Sequence, residues 1–152
     1  MKKTVKILLI GAGTVALALV AARISTTARK GELGVHLNHE LVDVRRESGL
    51  LPLKPHPGLA GVCADQAKAM AGEATVRREA GGIPPATRLR DAGISSSRFY
   101  MEVGRLPASR LYRKASPELI AAARNAGITH RGFGRYESDK HQVFYCYLVA
   151  AL

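Results

Sequence analysis

Among the 152 residues there is no Gly-x-Ser-x-Gly elbow, so a serine hydrolase of that type has no support. There is no internal repeat, no low-complexity tract and no block of like charge long enough to form a tail. Residues 1–30 contain no acid. What they do contain is Lys2, Lys3, Lys6, Arg23, Arg29 and Lys30, with Ile7 to Ala22 between them, apolar apart from Thr14. A positive start, a short apolar run and small residues afterwards form the pattern of a secretory signal. Val20-Ala21-Ala22 and Thr26-Thr27-Ala28 both suit cleavage; left uncleaved, residues 7–22 would serve as a signal anchor and associate with the membrane. The run is shorter than the roughly 20 residues that cross a bilayer comfortably. No cysteine lies near its end, so a lipid anchor at that point is not expected. Gly11-Ala12-Gly13 lies inside this leader without a preceding strand or a third glycine, and is no dinucleotide loop.

The formal net charge of +11 is partly the leader's. Removing its six cations from the 23 leaves 17 basic residues against 12 acidic. That excess suits a surface facing an anionic wall or lipid headgroups, and an export signal argues against nucleic acid as a partner. Residues 31–152 suffice for one domain with one core. The two cysteines, Cys63 and Cys146, suggest one disulfide in an oxidising compartment. Closing a loop of that length stabilises by about 4 kcal/mol in the chain-entropy model. The alternative is two buried thiols that never meet.

Residues 36–48 place Leu37, Leu41, Val44 and Ser48 at helical spacing, with Arg45, Arg46 and Glu47 off the stripe and Gly49 as the stop. Three prolines keep residues 50–57 from being helical. A second helix is expected from Pro57 to about Gly72, its inward stripe formed by Leu59, Cys63, Gln66 or Ala67, and Met70. Residues 73–83 read as irregular, broken by Gly81-Gly82. Pro84-Pro85 leads into a short helix through Asp91, closed by Gly93. Phe99 to Val103 is a strand candidate. Ser116-Pro117-Glu118 combines a hydroxyl cap, a first-turn proline and an acid at the positive dipole end, starting a helix to about Ala126. Ile128–Tyr136 and Gln142–Ala151 form a hairpin around Glu137-Ser138-Asp139-Lys140. The second strand is apolar on both faces, which places it centrally in the sheet. The layout is mixed α+β, with helices on both faces of an antiparallel sheet.

Three stretches resemble the CAP (SCP-like) superfamily, particularly its short bacterial members. They are R-E-S-G-L-L-P-L-K-P-H-P-G-L-A followed by A-D-Q-A-K-A-M-A, within 46–71; R-L-R-D-A-G-I-S, 88–95; and S-P-E-L-I-A-A-A-R-N-A-G-I-T-H-R-G-F-G-R, 116–135. Their order and spacing cover nearly all of residues 31–152. The resemblance implies an α-β-α sandwich with a central antiparallel sheet. It also implies a cleft where two histidines and one or two glutamates can hold a divalent metal. Carried over residue by residue, the first histidine aligns near Arg77 and the second falls on Leu119. The glutamate corresponds to Glu102. A lone carboxylate cannot hold zinc, which takes about four ligands, so no metal or other cofactor is expected. Arg77, if near Glu102, would offer a charge-assisted hydrogen bond and turn the cleft into a structural ion pair.

His36 and His39 have i,i+3 spacing without a companion acid or thiol and read as solvated helix residues. His56 reads as a loop residue, and His130 and His141 as surface residues of the hairpin. The tyrosines and phenylalanines read mostly as core and cross-strand partners. Residues 106–114 form a basic surface segment with two apolar candidates, able to touch lipid or a protein. The leading expectation is a non-catalytic, exported or membrane-tethered envelope protein, its domain binding a partner protein, a cell-wall polymer or a lipid. The rivals are a metal-dependent or hydrolytic enzyme using Glu102 with a histidine such as His130, and a lipid carrier.

Overall fold

The computed structural model describes residues 33–152; the leader expected over residues 1–30 lies outside them. Helix α1 covers residues 33–47. It is followed by strand β1 (Lys54–Pro55), helix α2 (Pro57–Glu73), a 3-10 turn (Ala80–Gly82) and helix α3 (Pro85–Asp91). Strand β2 (Phe99–Pro107), helix α4 (Pro117–Ala123) and the hairpin β3 (His130–Glu137) and β4 (Gln142–Ala150) complete the chain. The strand order is β1-β3-β4-β2, so the doubly apolar strand is central, as its sequence predicts. β4 pairs antiparallel with both neighbours. The two-residue β1 adds one parallel pairing at the edge, where prolines that lack a donor are tolerated.

Each face of β4 meets its own helices. Tyr145, Tyr147 and Val149 pack with Leu37 and Leu41 of α1 and with Leu119 and Ala123 of α4. Cys146, Leu148 and Ala150 pack with Leu59, Val62 and Cys63 of α2 and Leu89 of α3. The result is an α-β-α sandwich of the α+β class. Strand β3 lets α2 approach closely through Gly132 and Gly134: a Cβ at either would collide with the α2 backbone, at Leu59 and Ala60 or at Cys63 and Ala64. Cys63 Sγ can therefore reach the Gly132 carbonyl at 3.6 Å.

Four sequence expectations are corrected by the structure. Arg45, expected on the solvated side of α1, is buried, with 4% exposure. Its guanidinium donates to the carbonyls of Leu51, of Ala123 at 2.8 Å and of Asn125 at 3.4 Å. Desolvation lowers its pKa. That contact holds the chain just past Ala123, where α4 ends three residues earlier than expected. β2 in turn runs on to Pro107, because its partner β4 continues pairing to Gln142. His56 is more than a loop residue: its Nδ1 accepts from the Leu59 amide at 3.3 Å and caps α2.

Candidate functional site

The site is built where β2 passes beneath the start of α4. Glu102 is 4% exposed and faces the α1/α4 side of the sheet, directly across from Tyr147 in the β2–β4 register. Burying a carboxylate costs free energy unless hydrogen bonds replace the lost water, and here they do. Glu102 Oε2 accepts from the Ser116 amide at 3.1 Å and from Ser116 Oγ at 2.5 Å. Oε1 lies 3.5 Å from the Tyr145 hydroxyl, which donates to it. Ser116 is also the N-cap of α4, its Oγ accepting from the Leu119 amide at 3.1 Å. One hydroxyl thus joins the carboxylate of a strand to the first turn of a helix.

Tyr145 reaches Glu102 because its ring lies across Gly104, the residue opposite it; a Cβ at position 104 would collide with that ring. Burial raises the Tyr145 pKa, and the Glu102 charge raises it further. The Tyr147 phenol is pushed up to about 12, chiefly by burial. Tyr100, two residues before Glu102 and on the same face, brings its hydroxyl to 3.4 Å from Ser116 Oγ. The Arg78 guanidinium covers the Tyr100 ring at 4.9 Å from its centroid. It donates to the Met101 carbonyl at 2.8 Å and to the Tyr100 hydroxyl at 3.0 Å. The assembled group is Glu102, Ser116, Tyr145, Tyr100 and Arg78.

The expected Arg77–Glu102 ion pair does not form. Arg77 turns back to Glu73 at 2.8 Å, an exposed i,i+4 pair at the end of α2. Glu73 also accepts from the Gly81 amide at 2.7 Å, and the two contacts, Arg77 first, lower its pKa. Meanwhile the Arg77 carbonyl is tied to the buried Gln66 side chain at 2.7 Å. The neighbouring Arg78 points toward β2 instead. Leu119 is fully buried in the apolar cluster beneath α4, a place that suits a leucine and would desolvate an imidazole.

His130 is also away from Glu102. Glu102 aligns through Tyr147 with Phe133, so His130 sits two strands over and three residues along, roughly 10 Å in each direction from ordinary strand spacings. Its ring lies edge-on to His56, with centroids 5.9 Å apart. Burial, then the nearby His56 and Lys54, lower its pKa. His36 stacks edge-on against Tyr112 at 5.3 Å, and His141 lies 3.6 Å from Glu137. Among the described residues no group of three or more histidines, cysteines or acids is placed to hold a metal ion.

Cys63 and Cys146 do meet. Both are fully buried free thiols, with sulfurs 2.9 Å apart. Burial first, then the neighbouring sulfur, pushes the Cys63 thiol up. A cleft of 370 Å³ between α2 and α3 is lined by Asp65, Arg88 and Asp91 beside Gly58, Gly61 and Val62. Another, of 390 Å³, lies around His56, Arg131 and Phe133. Neither contains Glu102.

No protein-family model and no curated protein sequence matches the chain. Solved structures do. An outer surface protein from Borrelia burgdorferi superposes with a TM-score of 0.64 at 17% identity, over 78% of this chain and 92% of that one. An extracellular protein containing an SCP domain, from Bacillus anthracis, superposes with a TM-score of 0.56 at 15% identity over 72% of this chain. The match spans only 37% of that longer protein. With the α-β-α layers and the sheet order in place, the fold of residues 33–152 is CAP-like.

Proposed function

We propose that this chain is an extracytoplasmic envelope protein whose CAP-like domain is a non-catalytic binding or scaffold module. The observation that carries this reading is the engagement of Glu102: its carboxylate is spent on Ser116 and Tyr145. A carboxylate so engaged holds two elements together, and at 4% exposure it is closed off from a metal or a substrate in solution. The positions aligned with the family's histidines support the same reading, Leu119 by its burial and Arg77 by its pairing with Glu73. An extracytoplasmic location is supported by the leader pattern of residues 1–30. It also fits the outer-surface and extracellular character of the two structural neighbours. In such a compartment we expect Cys63 and Cys146 to be joined as a disulfide. Each thiol would give up its proton, and the electron pair would pass to an oxidant of the protein-disulfide class by thiol–disulfide exchange.

The test is affinity capture of the full-length protein from solubilised membranes. The expected result is a chain retained with the membrane, together with a defined envelope component. Recovery of only a leaderless soluble monomer without a companion contradicts the tethered-scaffold reading.

A further inference from the structure

The segment between β2 and α4 carries chemistry that the Glu102 site does not use. Its ends are fastened: the Ala108 amide donates to the His141 carbonyl at 2.8 Å, and the Ala115 amide to Glu40 Oε2 at 2.8 Å. Between these anchors Arg110, Tyr112, Arg113 and Lys114 are all exposed, Tyr112 by 55%. No acid occurs between Glu102 and Glu118. Among the described residues, none of the three cations takes part in an ion pair. The Tyr112 ring rests edge-on against His36 in the first turn of α1. That contact places the basic tip beside Leu33, where the described domain joins the preceding chain. Arg29 and Lys30 stand within four residues of that junction.

We propose that this basic, tyrosine-tipped segment docks on an anionic lipid surface, holding the domain against the membrane that carries its leader. The proposal rests on the tethered reading above. Three exposed cations beside the start of α1, with Arg29 and Lys30 close by in sequence, suit a juxtamembrane basic cluster, in which each cation near an anionic leaflet strengthens binding about fivefold. Tyrosine is the residue type that settles at a lipid–water boundary, with its ring in the apolar zone and its hydroxyl wet.

The full chain carrying Tyr112→Trp is reconstituted in nanodiscs of phosphatidylglycerol or of phosphatidylcholine, each containing a lipid-borne nitroxide quencher. Fluorescence of the new indole reports contact, and co-elution with the disc reports tethering. The expected result is quenching in phosphatidylglycerol discs that is at least twofold stronger than in phosphatidylcholine discs. That difference disappears in 1 M salt, where screening acts within about 3 Å, and in the triple variant R110E/R113E/K114E. Co-elution without a lipid-dependent difference overturns the docking surface and leaves the tether standing. Failure to co-elute overturns both. Unchanged circular dichroism of the triple variant, whose substitutions are all at exposed positions, shows that its loss of quenching is not unfolding.

Discussion

Glu102 is worth more to this molecule as a hydrogen-bond acceptor than as an exposed acid. Hydrogen bonds to a charged partner contribute about 1.5–3 kcal/mol, and Glu102 receives two from Ser116 alone. Glu102→Gln is expected to destabilise the domain by about 2 kcal/mol, read as a lower urea midpoint at unchanged slope. In a double-mutant cycle with Ser116→Ala, coupling of about 1 kcal/mol or more is expected, because the two residues are in direct contact. The buried phenols give a pH prediction. Unfolded tyrosines titrate near about 10, whereas Tyr145 and Tyr147 are both raised in the folded state. Above that pH the unfolded chain gives up protons that the folded domain retains, so the stability these two residues confer is intact below about pH 10 and declines above it. Denaturant midpoints measured from pH 9 to 11.5 are expected to fall, and to fall less in the Tyr145→Phe/Tyr147→Phe variant. Glu102 was legible from its place in the strand motif. Its partners were not: only the β2–β4 register shows that Tyr145 lies over Gly104, and nothing local distinguishes Arg77 from Arg78.

At the level of elements, the close approach of α2 to the sheet is the most sensitive contact. Gly134→Ala is expected to cost at least about 1–3 kcal/mol, the usual range for overpacking, since its Cβ would meet helix backbone that cannot swing aside. Gly61→Ala on the exposed side of the same helix meets nothing within 4 Å. It should stabilise by about 0.5–1 kcal/mol through helix propensity. Thermal melts of the two variants are expected to shift in opposite directions. Helices α2 and α3 and the hairpin were readable because their apolar spacing, prolines and glycines are local signals. Arg45 was not: its partners Ala123 and Asn125 are about eighty positions away, and a cation at the margin of an apolar stripe looks solvated until the opposite helix end is in place. The shortened α4 escaped notice for the same reason.

For the molecule as a whole, the layered fold follows from one strand, β4, whose two apolar faces demand helices above and below. That demand was visible in Gln142–Ala151, and three separated stretches carried the CAP resemblance in the right order. The parallel edge strand was not visible, since Pro-Leu-Lys-Pro advertises only the absence of helix. Between α2 and the sheet, Cys63 on the helix and Cys146 on β4 are placed to join the two layers. Protein recovered from an oxidising compartment without reductant is expected to lack free thiols and to weigh two hydrogens less than the reduced chain. Reduction should then lower its stability by about 4 kcal/mol or less.

This domain has a CAP-like fold, and its buried Glu102 carboxylate serves that fold through Ser116 and Tyr145. Calorimetric titration of the full chain with zinc at neutral pH tests this role most directly, run in parallel on Glu102→Gln. No stoichiometric site that depends on Glu102 is expected, so the two titrations superimpose. A one-to-one zinc site in the natural chain that vanishes in Glu102→Gln would contradict it.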